Sequence, residues 1–404
     1  MAWQEVAPME ERVRFVLKAT REAVGFAALC HQFGISRKTG YKWLARYQAH
    51  GLAGIREWSR RPHRSPTRLP AEVVGLVLRE RHRHTSWGPK KLRALLATKY
   101  GITSVPAAST LGRLLQRHGL TRPPRRRRPV SQPDRTTRTP ATRPNAVWAT
   151  DFKGWFRTQD GQRCDPLTIS DLYSRYVLVC RLVPGQRMED VRPVFRQVFR
   201  WFGLPEVLRV DNGLPFGSHG VAGLSQLSAW WLHLGIRVEF IEPAHPEQNG
   251  RHERMHRTLK AETARPPAAT PRAQQARFDR WRHTFNQERP HEALGMQRPA
   301  DRYVRSARRY TEQPGPPVYP PHYHVRRVKR QGVIKWRNRR CFIGQALHGM
   351  VVGLVEVGEE AYDVYFGELH LGCLDPSGTL RPVPPAPSPA SPRHSAGRAA
   401  RPGG

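Results

Sequence analysis

The spacing of apolar positions changes twice along this chain. From residue 9 to about residue 120, apolar residues recur every three or four positions, as they do in amphipathic helices. Between residues 146 and 305, short apolar runs alternate with helical stretches. Between residues 318 and 375, apolar and polar residues alternate singly and glycines interrupt them. The pattern predicts a multidomain protein with an all-α N-terminal part, a central α/β domain and a small C-terminal β-barrel.

The first helical stretch, residues 9–60, has the pattern of a helix-turn-helix domain. A turn is predicted at residues 34–36, and its last residue, Ser36, is a good N-cap for the helix that follows. The residues of that helix expected to face inward are Tyr41, Leu44 and Tyr47, with Trp43 beside them. The basic candidates for contact with a DNA major groove are Arg37, Lys38, Lys42 and Arg46. An ordinary solvated helical hairpin is the alternative interpretation.

Basic, proline-rich segments flank a second predicted helical module over residues 70–120. The segment before this module contains Arg60 and Arg61. The segment after it, residues 121–145, is the clearest linker, and its four consecutive arginines are Arg125, Arg126, Arg127 and Arg128. We expect both segments to be extended and to bind DNA phosphates, with a merely solvated tether as the alternative. Residues 376–404 contain no acidic residue and are predicted to form a disordered tail.

The central domain, residues 146–305, is predicted to contain a mixed five-stranded sheet covered by helices. Three strands come first, and helices and strands then alternate. The predicted strands are 147–152, 167–170, 176–182, 207–210 and 238–241. The predicted helices between the later strands are 189–202 and 224–234.

The charge of the chain indicates a polyanionic partner. Its 404 residues include 68 Lys and Arg against 32 Asp and Glu, for a net charge of +36. Double-stranded DNA is the simplest partner, although a GC-rich genome also raises arginine content. Five scattered cysteines without a CxxC pair fit a reducing compartment, and no apolar run is long enough for a membrane span. We therefore expect a cytoplasmic protein without membrane contact.

Three carboxylates occupy positions suited to metal-dependent phosphodiester chemistry. Asp151 and Asp211 follow apolar, strand-like runs, and Glu253 lies just inside a predicted helix. Two acids at strand ends and one on a helix can converge on paired Mg²⁺ ions. The alternative is that all three are ordinary surface carboxylates. This is less favoured for Asp151 and Asp211, because a carboxylate at the end of a buried strand costs free energy without a partner.

These motifs resemble the catalytic core of the insertion-sequence DDE transposases and retroviral integrases, which has a ribonuclease-H-like fold. Segments 171–176 and 285–295 resemble two further motifs of the family, and Trp87 to Lys91 resembles the start of its second DNA-binding module. The resemblance implies that Asp151 bridges two Mg²⁺ ions, with Mn²⁺ as a possible substitute. It further implies that the other two metal ligands are Asp211 and Glu253, and that Arg257 and Lys260 hold DNA phosphates beside them.

The activity implied by this resemblance is DNA transposition. The protein is expected to bind the terminal inverted repeats of its insertion sequence, cleave a strand at each end and join the freed 3′-OH to target DNA. Because two ends are joined in concert, we expect a homo-oligomer on DNA, in the bacterial nucleoid. Neither the repeat sequence nor the transposition pathway follows from the sequence.

Alternatives remain for the identity of the third carboxylate and for the function of the chain. Glu247 follows Asp211 by 36 positions, a spacing typical of integrase-like enzymes, but the Pro246, Gly250 and Glu253 pattern favours Glu253. The same helix contains His252-Glu253-Arg254-Met255-His256, the zinc-protease pattern, which we disfavour because arginines surround it. A DNA-binding regulator with a decayed core is the other functional alternative, and a phage integrase of the DDE type falls in the same class.

Overall fold

A computed structural model describes residues 8–21, 25–58, 69–121, 138–152, 154–242 and 250–381. The chain divides into two compact units, Met1–Pro70 and Ala71–Gly404. No helix in the described ranges combines the length and the apolar character that a membrane crossing requires.

The first unit is a three-helix domain with a helix-turn-helix. Its helices are α1 (Pro8–Arg21), α2 (Phe26–Gln32) and α3 (Arg37–His50). Ser36 caps α3 as predicted, because its hydroxyl accepts a hydrogen bond of 3.2 Å from the Thr39 amide. The small core of this unit includes Phe15, Val16, Leu29, Cys30 and Trp43.

The inward face of α3 differs from the prediction. Gly40 and Trp43 are its buried residues, whereas Tyr41 is 59% exposed and stacks on Phe26. A Cβ atom on Gly40 would lie 2.6 Å from Cys30 Sγ, so this position permits the close approach of α2 and α3. Tyr47 packs against the core together with Trp43, so the prediction is wrong for Tyr41.

The second unit begins with three more helices. They are α4 (Ala71–Arg83), α5 (Pro89–Tyr100) and α6 (Ala108–Arg117). Pro89 occupies the first turn of α5, where its missing N–H costs nothing.

The central sheet has six strands rather than the predicted five. They are β1 (Val147–Phe152), β2 (Phe156–Arg157), β3 (Arg163–Asp171), β4 (Val177–Val183), β5 (Val207–Val210) and β6 (Arg237–Phe240). The order is β2-β3-β1-β5-β6, with β4 also paired to β3. Strands β1, β5 and β6 are parallel, and the other pairs are antiparallel. The extra strand is β2, which was missed because its two residues are too few to show an alternating pattern.

Helices cover the two faces of this sheet. They are α7 (Met188–Phe202), α8 (Gln226–His233), α9 (Gly250–Thr263), α10 (Pro271–Gln287) and α11 (Pro299–Arg302). On one face, Trp148 and Leu208 share a core with Phe195 and Phe199 of α7 and Trp231 of α8. On the other face, α9 and α10 pack on β4 through a cluster that includes Met255, Leu259, Phe278, Trp281 and Val177.

The C-terminal region contains β-sheets, as predicted, but its described strands do not form one closed sheet. The strands are β7 (His324–Arg327), β8 (Val333–Trp336), β9 (Arg339–Phe342), β10 (Val351–Gly358), β11 (Ala361–Phe366), β12 (Leu369–Leu374) and β13 (Leu380–Arg381). Five form an antiparallel sheet in the order β13-β12-β11-β10-β7, and β8 pairs only with β9. One apolar cluster joins the two sheets. The prediction of a disordered tail is wrong at its start, because β13 pairs with β12. Residues 382–404 lie outside the described part.

Candidate active site

Asp151 and Asp211 lie at the same level on two adjacent parallel strands. The register of β1 and β5 pairs Ala149 with Arg209, and each aspartate lies two positions beyond this pair. Side chains two residues apart point to the same face of a sheet, and neighbouring strands are about 4.8 Å apart. The register therefore places Asp151 and Asp211 on one face of the sheet, at its carboxyl edge and on adjacent strands.

The surroundings of Asp211 favour a cationic partner. Loss of contact with water raises the pKa of its carboxyl, although the Gly213 N–H hydrogen-bonds to it. Arg209, the nearest cation on the same strand and face, is already paired with Glu239 at 2.7 Å. The negative charge of Asp211 is therefore not neutralised from within β5.

Two buried histidines seat α9 on the sheet beside Asp151. The Thr168 hydroxyl lies 2.8 Å from His252 Nε2 and 2.6 Å from His256 Nε2. The Ser170 hydroxyl lies 2.7 Å from His252 Nδ1, and His256 Nδ1 lies 3.7 Å from Asp151 Oδ2. These contacts fix the position of α9 over β3 and β1.

The same contacts give the direction and the rotation of α9. From His252 to His256 the helix passes from Ser170 to Thr168 and Asp151, so it runs antiparallel to β3 and parallel to β1. His256 is about 40° round the helix from His252, toward β1, and Glu253 is about 100° round in the same direction. Glu253 is exposed, so it lies on a flank of α9 and not on the buried face that carries the two histidines. No three His, Cys, Asp or Glu side chains within the described ranges are close enough together to enclose a metal ion.

The histidines of the zinc-protease pattern have a different role in this fold. Both rings are buried, with exposures of 1% and 2%, and both hydrogen-bond to β3. Their ring nitrogens face the sheet, whereas the Glu253 side chain is exposed to solvent. The arrangement therefore holds a helix in place and does not present two imidazoles and a base to a substrate.

Thr168 gives a direct test of this seating. Replacing Thr168 by valine keeps the shape but removes a hydroxyl shared by two buried rings, and we expect the free energy of unfolding to fall by about 2 kcal/mol. Thr168→Ser keeps the hydroxyl and should lose less than half as much. Thermal unfolding of both variants checks this expectation, and equal losses would contradict it.

The predicted DNA-binding residues divide into exposed, packed and undescribed groups. On α9, Arg257 and Lys260 are exposed on the same flank as Glu253. On α3, Arg37, Lys38 and Lys42 are exposed. Arg46 instead packs against Trp43 and Trp58, with its guanidinium 5.2 Å and 4.4 Å from the ring centres. The predicted residues outside the described ranges are Arg60, Arg61, Arg125, Arg126, Arg127, Arg128 and the alternative carboxylate Glu247.

Sequence reasoning missed the polar residues of β3. Thr168 and Ser170 face α9, but in the sequence they are ordinary strand residues, and only the two histidines four positions apart indicated a shared partner. Two residues of the 285–295 motif have structural contacts. Asn286 forms two 2.9 Å hydrogen bonds with the backbone of Val177, and Arg289 pairs with Glu262 at 2.9 Å.

Family models match the N-terminal and central parts of the chain. A family model described as "Integrase core domain" matches residues 141–246, and a second model with the same description matches residues 234–299. A helix-turn-helix domain matches residues 11–63, and a homeodomain-like domain matches residues 39–115. Together these matches cover both helical modules and the central sheet.

Relatives come from bacterial insertion elements. An uncharacterized protein of insertion element IS407 from Burkholderia multivorans is 25% identical over 58% of this chain and 79% of its own length. An uncharacterized protein of insertion element IS476 from Xanthomonas euvesicatoria is 26% identical over 66% of this chain and 74% of its own length. Among solved structures, the HTLV-2 integrase catalytic core domain in complex with magnesium is 17% identical, covers 40% of this chain and 99% of its own, and has a TM-score of 0.32.

Proposed function

Since this chain belongs to the insertion-sequence DDE transposases of the retroviral-integrase superfamily, we propose that it cleaves DNA at the ends of its element and joins them to a target. The catalytic carboxylates in this proposal are Asp151, Asp211 and Glu253. The observation that carries it is the position of Asp151 and Asp211 at one level of adjacent parallel strands, with α9 running beside them.

The chemistry of these side chains fits Mg²⁺. Mg²⁺ prefers carboxylate oxygens and needs few of them, because it keeps several water ligands. It binds histidine nitrogens much more weakly than zinc does. Asp151 and Asp211 would hold it between the strands, and Glu253 would complete the ligand set from α9. When bound, Mg²⁺ supplies the positive charge that stabilises the attacking and leaving oxygens of a phosphodiester.

The remaining work of the chain in this proposal is to bind and align DNA. Arg257 and Lys260 are exposed on the flank of α9 that carries Glu253, so they can contact phosphates on either side of the scissile bond. The exposed face of α3 would read the terminal inverted repeats in the major groove. A homo-oligomer would hold two ends together, because each end needs its own set of carboxylates.

Strand joining tests this proposal. Purified protein is mixed with labelled DNA from the two flanks of its own gene, a supercoiled plasmid and Mg²⁺. We expect joined products that require the metal and are absent with Asp211→Asn. Tight binding of the flanks without any product over a wide range of Mg²⁺ and Mn²⁺ concentrations would instead favour a regulator with a decayed core.

A further inference from the structure

A cavity of 510 Å³ borders the flank of α9 that carries Arg251 and Thr258. Its walls come from α5, the turn between β3 and β4, α9 and the segment after α10. We call this cavity the basic pocket, because its cationic lining residues are Lys91, Arg175, Arg251, Arg254 and Arg289. The pocket thus joins the second helical module to the central domain within one compact unit.

The carboxylates that line the basic pocket do not balance these cations. Only Asp171 and Glu292 are acidic among its lining residues. Asp171 is fully buried and accepts hydrogen bonds from the Asn145 amide and from the amide and hydroxyl of Ser174. Glu292 lies 3.8 Å from Lys90, which is outside the pocket. Arg289 is paired with Glu262, which lies outside the pocket, so the other four cations face two carboxylates that already have other partners.

Two of the cations are half-buried without an ion pair. In the described part of the chain, no carboxylate lies within 4.0 Å of the charged groups of Lys91 or Arg175. Burial and the charge of Arg289 lower the pKa of Lys91 to about 8. Burial and the charges of Arg251 and Arg254 lower the pKa of Arg175 to about 10. Holding such charges together costs free energy that a bound anion would offset.

A neutral donor completes the lining. Burial and three neighbouring cations lower the pKa of His291 to about 3, so its ring is uncharged at neutral pH. Its Nε2 atom is buried and makes no hydrogen bond to the described residues. An imidazole N–H beside several guanidinium groups is a suitable donor set for phosphate oxygens.

We propose that the basic pocket binds a backbone phosphate of DNA, as a second contact point one helix width from the catalytic carboxylates. Arg251 precedes Glu253 by two positions, which places the two side chains about 200° apart on a helix about 10 Å wide. The DNA identity of the ligand rests on the proposed function. DNA is favoured over a free anion as the ligand. The reason is that exposed Arg254 and Arg257 extend the positive charge along α9 from the pocket toward the Glu253 flank.

The salt dependence of DNA binding tests this site without requiring catalysis. The affinity of the full chain for a labelled duplex from one gene flank is measured against salt concentration for wild type, Lys91→Gln and Arg175→Gln. Each variant should lower the slope of log affinity against log salt by about 1, the loss of one phosphate contact. Arg272→Gln is the matched control, because Arg272 at the start of α10 is exposed and outside the pocket, and its slope should stay at the wild-type value.

A second arm separates DNA from a free anion. Inorganic phosphate replaces chloride at constant ionic strength, without DNA, and the midpoint of thermal unfolding is recorded. If phosphate stabilises wild type but not Lys91→Gln, while the DNA salt slopes are equal, a small anion is the ligand and the proposal is overturned. Equal slopes for all four proteins also overturn it, and leave the proposed function intact if strand joining occurs. Failure of the wild-type protein to bind the duplex would refute both this proposal and the proposed function.

The pH dependence of stability gives an independent check on Lys91. Because its pKa is about 8 in the folded protein and higher in the unfolded chain, folding is penalised at pH values below 8, and the penalty disappears as pH rises from 8 toward 10.5. Relative to wild type, Lys91→Gln should therefore be more stable at pH 7, with a difference that shrinks by pH 10. Thermal unfolding at both pH values measures this, and a difference that does not change with pH would contradict it.

Discussion

Replacing Asp211 by asparagine should lower strand joining by about a thousandfold or more while the affinity for the element ends stays within about twofold. The asparagine side chain has nearly the same shape, but it removes one anionic oxygen from the pair formed with Asp151. Two adjacent carboxylates hold a divalent ion through their combined charge, so halving that charge should affect metal-dependent chemistry far more than DNA binding. Asp151→Asn should behave in the same way, because the register places it at the same level.

The readouts for this prediction are gel-based strand joining and fluorescence anisotropy with the same labelled flank. Glu189→Gln is a matched control, since Glu189 is an exposed carboxylate at the start of α7 and its loss changes the net charge equally. Joining by Asp211→Asn at the level of Glu189→Gln would exclude the proposed site. Comparing Glu253→Gln with Glu247→Gln then identifies the third carboxylate, and we expect only the former to be inactive.

Replacing Trp148 by alanine should lower the free energy of unfolding of the central domain by about 3 to 5 kcal/mol. Trp148 is fully buried in β1 and packs with Phe199 of α7. Its indole N–H also donates a 3.1 Å hydrogen bond to Asn145, whose amide N–H binds Asp171. The change therefore leaves a cavity and an acceptor without its donor, three residues before a candidate catalytic aspartate.

The unfolding of unit 71–404 is followed by calorimetry, because a chain with two compact units need not unfold in one step. Trp148→Phe should cost less than Trp148→Ala, since it keeps most of the apolar volume. Trp201→Ala is the matched control, as Trp201 is 53% exposed, and it should change stability by less than about 0.5 kcal/mol. A loss in Trp201→Ala as large as that in Trp148→Ala would contradict the assigned packing.

Several features of the site could be predicted because they depend on local pattern. The apolar runs before Asp151 and Asp211 identified β1 and β5 closely, and the cap at Ser36 identified the start of α3. The helical run around Glu253 identified α9 within two residues at each end. These elements have strong periodicity or a specific end signal, so their identity does not depend on distant neighbours.

Other features depend on which residues meet across the fold. The close approach of α2 and α3 follows from the contact of Gly40 with Cys30, and the packing of Arg46 follows from Trp58 in a later segment. The partners of His252 and His256 are on β3, more than 80 residues earlier in the chain. No local periodicity specifies such pairings.

The sequence by itself determined the types of element, the two strand-end aspartates, the helix that carries Glu253 and the excess of positive charge, because these follow from residue chemistry and short-range spacing. Only the tertiary structure decided that Asp151 and Asp211 share one level, that buried histidines orient α9 beside them, and that four separate segments enclose the basic pocket. Register, helix rotation and cavity formation are products of packing between residues far apart in the chain, and that packing is set by the whole fold.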